Sequence, residues 1–201
     1  KDKINVFWFR RDLRLEDNCG LYHSLQSSLS VQPIFIFDDE ILNELPADDH
    51  RVNYIYESLN QIQNKLGSAQ KSIKIYKGKP IEIWEQIVEE FDIENVYFNK
   101  DYEPYSLERD RTVHQFLKSK NIETHSFKDH VIFEKNDILK DNNQPYTIYT
   151  PYKKKWLKKY IETSQAFYPS EDFIDNFIES SFPFPTKEKL GIQESKISFP
   201  T

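Results

Sequence analysis

Two short segments concentrate the residues whose types and spacing could do chemistry. The first runs Phe9-Arg10-Arg11-Asp12-Leu13-Arg14-Leu15-Glu16-Asp17-Asn18, with three arginines and three acids in ten positions. An arginine fork suits a carboxylate, a phosphate or a ring carbonyl. The same charges also suit a local ion-pair network that shapes a turn. The second segment begins at Asn99 and carries Asp101, Glu103 and Arg109. Asp101 and Glu103 stand two apart, so an extended backbone sends both carboxylates to one side. Acids at a helix N-terminus also satisfy the helix dipole, which accounts for Glu103 better than for the pair.

Other chemistries find little support. The histidines His23, His50, His114, His125 and His130 make no metal-ligand spacing with Cys19 or with one another, so no metal site is expected. The single Cys19 permits no internal disulfide and fits a reducing, cytoplasmic compartment. The four glycines, Gly20, Gly67, Gly78 and Gly191, are scattered, which excludes a glycine-rich dinucleotide loop, a Walker A loop and a nucleophile elbow. Lys plus Arg number 27 against 33 Asp plus Glu, a net charge of −6, which argues against a nucleic-acid grip over the whole surface. No apolar run reaches the ~18–20 residues of a membrane span.

The elements that must position the two segments alternate between strand and helix. Apolar runs at Ile4–Phe9, Val31–Phe37, Ser72–Tyr76, Asn95–Asn99 and Glu123–Phe127 read as strands. Between them lie helical stripes: Leu21, Tyr22, Leu25 and Leu29 behind a cap at Asp17 or Asn18; Val52, Ile55, Leu59, Ile62 and Leu66 behind Asp48 or Asp49. Pro80 and Pro104 open two more helices. Five βα repeats with near-continuous apolar strands predict an α/β fold, a doubly wound five-stranded parallel sheet of Rossmann-like type, strand order 3-2-1-4-5, with helices on both faces. Ligands of such sheets sit beyond the carboxyl ends of the strands, which is where both charged segments fall.

Residues 1–130 read as this α/β domain. Residues 131–162 read as an irregular stretch, an extended Pro145–Pro151 segment and a lysine-rich helix with Trp156, Leu157, Tyr160 and Ile161 on one face. Residues 163–201, rich in Ser, Pro and Phe, read as a connector lying along a surface.

Three motifs in order carry a resemblance. Trp8 through Asn18 resembles the opening signature of the DNA photolyase/cryptochrome family. Asp101-Tyr-Glu-Pro-Tyr-Ser-Leu-Glu-Arg-Asp110 resembles its second signature, and Tyr149-Thr-Pro-Tyr152 through Trp156 its third. The resemblance implies the N-terminal, light-harvesting domain of a photolyase, a carbon–carbon lyase that repairs ultraviolet-induced pyrimidine dimers by electron transfer from FAD. FAD and damaged DNA would be held by a helical C-terminal domain missing here, with 163–201 as the link toward it, so the chain alone is expected to be inactive. A monomer without membrane attachment is expected.

The resemblance also implies an antenna pocket: Ile36, Phe37 and Asp38 at the end of strand two, Arg51 on the long helix, Asp101, Glu103 and Arg109, with Arg10 beside them. A chromophore of deazaflavin or flavin type (8-hydroxy-deazaflavin, FMN or FAD) is expected there. Folate is disfavoured because Tyr105-Ser106 stands where folate-binding members carry an amide and a carboxylate. The same domain of a cryptochrome photoreceptor, or a free-standing nucleotide-binding module, stays open as an alternative.

Overall fold

The computed structural model describes residues 2–197. In chain order the elements are β1 (Lys3–Phe9), α1 (Cys19–Leu25), β2 (Val31–Asp38), α2 (Asp39–Leu42), α3 (His50–Gly67), β3 (Lys74–Gly78), α4 (Pro80–Glu90), β4 (Asp92–Asn99), α5 (Pro104–Ser119), β5 (Glu123–Phe127), α6 (Tyr149–Glu162) and α7 (Lys187–Leu190). The strands form one sheet in the order β3-β2-β1-β4-β5, every pairing parallel. The order reverses between β1 and β4, so the loops after these two strands flank the switch point.

Both faces of the sheet are buried, which is why its central strands are apolar at successive positions rather than alternating. Phe7, Phe9, Phe35 and Phe37 join Leu21, Leu25, Val52, Leu59 and Leu66 in a core beneath α1 and α3. Trp8, Ile34, Ile36 and Phe98 join Trp84, Ile87, Val113 and Leu117 in a second core beneath α4 and α5. Pro33 is tolerated in a central strand because pairing of β2 with β3 begins only at Ile34.

Four local expectations differ from the structure. The first helix stops at Leu25, so Leu29 lies beyond it. The third strand starts at Lys74 rather than Ser72, because earlier groups are engaged elsewhere. The Ile73 amide donates to Gln63 Oε1 at 3.1 Å, and Ser72 Oγ accepts from the Phe182 amide at 2.9 Å. The fourth strand starts at Asp92, three residues before the apolar run, where it pairs with Lys3. Pro145–Pro151 is not extended throughout, since α6 begins at Tyr149. Pro151 falls in the first turn, where a missing N–H costs no helical bond. No helix among the described residues is long and apolar enough to cross a membrane.

The segment after α6 folds back along the α/β unit. Ser170–Asn176 forms a 3-10 helix, Phe177 makes a parallel bridge to Val31, and the Ile178 amide donates to the Val31 carbonyl at 3.0 Å. Phe177, Leu190 and Ile192 are buried in the core beneath α1 and α3. Gly191 ends α7 in the left-handed region at φ 70°, a conformation glycine adopts without a Cβ penalty.

Candidate functional site at the carboxyl ends of β1, β2 and β4

A buried polar node holds the loops after β1 and β4 together. Asn99 closes β4 and spends its whole amide. Its Nδ2 donates to Asp12 Oδ2 (2.6 Å) and Asn18 Oδ1 (2.8 Å), and its Oδ1 accepts from the Gly20 amide (2.8 Å). Asn18 caps α1 through the Leu21 amide at 3.1 Å, and Asp12 accepts from the Arg10 amide at 3.0 Å. A Cβ at position 20 would lie 2.6 Å from Asn99 Oδ1, so glycine there lets α1 approach the end of β4.

The arginines of the first loop divide between two sets of partners. Arg10, with 4% of its side chain exposed, pairs with both oxygens of Asp110 and donates to the Asn99 carbonyl. Its guanidinium lies 4.7 Å from the ring centre of Phe98 and 5.3 Å from that of Trp8. Burial pulls its pKa below the usual arginine value. Arg11 reaches Asp101 at 2.8 Å and Glu103 at 2.5 Å, joining the two loops across the switch point. Arg14 forms a pair with Asp129, both oxygens within 2.9 Å.

The start of α5 builds the other side. Asp101 accepts from the Tyr102 amide at 2.7 Å and from Ser106 Oγ at 2.9 Å. Burial pushes this carboxyl up, but the Ser106 and Tyr102 hydrogen bonds and the Arg11 charge outweigh it and hold the pKa at about 2. Tyr105 donates its hydroxyl to Asp38 Oδ2 at 2.6 Å, so α5 touches the end of β2. Burial raises both of these pKa values, and for Tyr105 the neighbouring Asp38 charge adds to the rise. Arg109 pairs with Asp110 at 3.0 Å and stacks 5.1 Å from the Trp8 ring centre.

Asp101 accordingly ties folding to pH. A depressed folded pKa contributes stability that is present above the unfolded value of ~3.9 and lost as pH falls toward about 2. Asp101→Asn is expected to lower the unfolding free energy by about 2 kcal/mol at pH 7. The gap to the native chain should shrink steadily between about pH 4 and pH 2 in urea titrations. A gap that is the same at pH 7 and pH 2.5 would refute this account.

The structure brings some of the residues expected to line a pocket together and separates others. Asp38 and Arg109 come together around Tyr105, whereas Asp101 and Glu103 are tied to Arg11 in a separate group and Arg10 is buried against Asp110. Ile36 lies with Trp8 on the α4/α5 side of the sheet, whereas Phe37 lies with Phe9 on the opposite side, so Phe37 and Trp8 do not share one wall. Arg51 is turned to its own helix start, where its guanidinium is held by Asp49 at 2.7 Å and 3.0 Å. Tyr105, Asp110 and Asn99 carry geometry that their motifs do not announce; Asn99 stands where the apolar run 96–98 ends.

The fold and site define a doubly wound α/β domain whose switch point is built from charged and aromatic side chains rather than a glycine loop. The chain belongs to the DNA photolyase family, whose model matches residues 5–170. It is similar to the deoxyribodipyrimidine photo-lyase of Synechococcus sp. (strain ATCC 27144), 32% identical over 75% of this chain and 31% of that protein. It is similar to the enzyme of Escherichia coli (strain K12), 27% identical over 94% of this chain and 44% of that one. Among solved structures, an archaeal photolyase from Sulfolobus tokodaii, described with two FAD molecules and a novel light-harvesting cofactor, matches with a TM-score of 0.60. Its identity is 29%, over 65% of this chain and 30% of that one. A class III photolyase from Agrobacterium tumefaciens shares the fold over 98% of this chain and 39% of its own, with a TM-score of 0.74 and 21% identity. The chain thus corresponds to the N-terminal α/β domain of photolyases and spans about a third of the Synechococcus enzyme.

Proposed function

We propose that this chain is the light-harvesting domain of a DNA photolyase and holds a flat, flavin-type chromophore at the carboxyl ends of β1, β2 and β4. The observation that carries the reading is the convergence of Asp38, Tyr105, Arg109 and Trp8 from three different elements on one spot. The residue types fit such a group: a planar heterocycle needs an aromatic wall and a few directed polar groups. Tyr105, 38% exposed, offers the wall, and Trp8, buried beneath Arg109, backs it. Asp38 accepts hydrogen bonds, and Arg109 donates them while carrying the positive charge for a ring oxygen. The Arg11–Asp101–Glu103 bridge keeps the loops after β1 and β4 at a fixed separation.

When bound, the chromophore supplies absorption of near-ultraviolet or blue light and transfer of the excitation to a catalytic FAD. The protein's part is orientation. The buried Arg10–Asp110–Arg109 group sets the angle of α5, and hence the position of Tyr105 and Arg109. Repair of ultraviolet-damaged DNA by light-driven electron transfer from FAD is the activity we propose this domain serves. The match to deoxyribodipyrimidine photo-lyases supports it, and the chain's acidic balance is consistent with DNA being gripped elsewhere.

The test is fluorescence titration of the chain with FMN, FAD and 8-hydroxy-deazaflavin. Saturable binding of one of them is expected, weakened about tenfold or more by Arg109→Ala, the loss expected for one charge-assisted hydrogen bond. Absence of binding, or binding indifferent to Arg109→Ala and Tyr105→Ala, would overturn the pocket.

A further inference from the structure

A concavity lies on the side of α5 away from Tyr105, over the edge of the sheet. Its volume is about 640 Å³, within the range of small-molecule sites. It exists because β5 is an edge strand whose Thr124 and Ser126 face the α5 side, and α5 covers only part of that face. The segment around Glu134 closes the other flank, leaving a groove floored by the Phe98 ring and walled by Leu107.

The charges around the groove are not balanced in what they leave unspent. Each acid at its margin is engaged. Asp101 is held by Arg11 and Ser106, Asp110 by Arg10 and Arg109, and Glu134 by Lys100 (2.9 Å) and Tyr102 (3.1 Å). Asp137 accepts from the Glu134 amide at 2.7 Å and lies 3.6 Å from Lys159. The donors differ. Among the described residues Lys135 and Ser126 have no side-chain partner, although both line the groove. Arg111 spends one nitrogen on the exposed Glu108. His114 uses Nδ1 toward Thr124 at 2.5 Å and leaves Nε2 open. The spare hydrogen-bonding capacity of the groove is therefore cationic and donor-rich around an aromatic floor.

We infer that this groove is a binding site for a small anionic aromatic ligand of the mononucleotide class, with the planar ring against Phe98 and Leu107 and the phosphate met by Arg111, His114 and Lys135. It is independent of the chromophore reading, because Tyr105 and Arg109 face the other side of α5. Guanidinium and ammonium groups suit a phosphate, and the phosphate can displace the exposed Glu108 from Arg111 at little cost.

Isothermal titration calorimetry of the chain with AMP, adenosine and inorganic phosphate tests it. AMP should bind with a dissociation constant below about 1 mM, and adenosine and phosphate each about tenfold or more weakly. Arg111→Ala and Lys135→Ala, both exposed and expected to leave the melting temperature unchanged, should each weaken AMP about tenfold. Tyr105→Ala, at a residue that does not line the groove, should leave it unchanged. No saturation by AMP up to several times about 1 mM would overturn the site. So would AMP binding that ignores Arg111→Ala and Lys135→Ala, or that is lost with Tyr105→Ala instead.

Discussion

Asp110→Ala is expected to cost 3–5 kcal/mol of unfolding free energy, measured as a shift of the urea midpoint at neutral pH. The size follows from what the substitution leaves behind. Asp110 sits between two guanidiniums, Arg10 and Arg109, whose side chains are 4% and 10% exposed. Removing it strands two cations out of water, with no other carboxylate among the described residues in a salt bridge with either. Arg10 keeps the Asn99 carbonyl and the faces of Phe98 and Trp8. Ring faces are worth only about 0.5–2 kcal/mol to a cation. A buried pair is itself weak evidence for stability; the cost lies in breaking it on one side only. The double variant Arg10→Met/Asp110→Leu should therefore recover part of the loss. A loss below about 1 kcal/mol for Asp110→Ala would mean that water already reaches Arg10.

The same node explains why the fold was so legible in the sequence and the site less so. The strands, the helices and the burial of both sheet faces follow from apolar runs and from helix stripes, and those signals are local. Asn18, Pro80 and Pro104 mark helix starts by chemistry that acts within one turn. The site depends on pairings such as Arg10 with Asp110 and Arg14 with Asp129, each bridging about a hundred residues. A run of arginines and acids announces that ion pairs will form but not which acid each arginine will take. Arg51 shows the limit. Its type suits a polar rim, yet Asp49, two residues earlier, captures it at the helix start and is itself held at about 2 by that contact. Tyr105 shows the converse. As a departure from a folate-type motif it pointed away from one ligand, while its contact with Asp38 depends on where α5 lands.

The segment after α6 makes the same point in the hydrophobic core, and it carries the second large effect. Phe182-Pro-Phe-Pro185 is its most conspicuous stretch, yet among the described residues its deepest apolar anchor is Phe177, which is 1% exposed. The ring enters the core beneath α1 and α3. Its own carbonyl accepts from Lys71 at 2.6 Å, and the next amide extends the sheet at Val31. Phe177→Ala is expected to cost 3–5 kcal/mol, the transfer free energy of the ring plus the cavity it leaves. Phe167→Ala, whose ring is largely exposed, is expected to stay within about 0.5 kcal/mol. Amide hydrogen exchange supplies the second readout. The Ile178 amide, bonded to Val31, should be protected like the β2 ladder in the native chain and lose that protection first in Phe177→Ala. If the segment were only laid on a finished surface, both phenylalanine variants would unfold at the native midpoint and Ile178 would exchange freely from the start. The buried ring argues otherwise: the α/β unit completes one face of its core with residues that follow it by fifty positions in the chain.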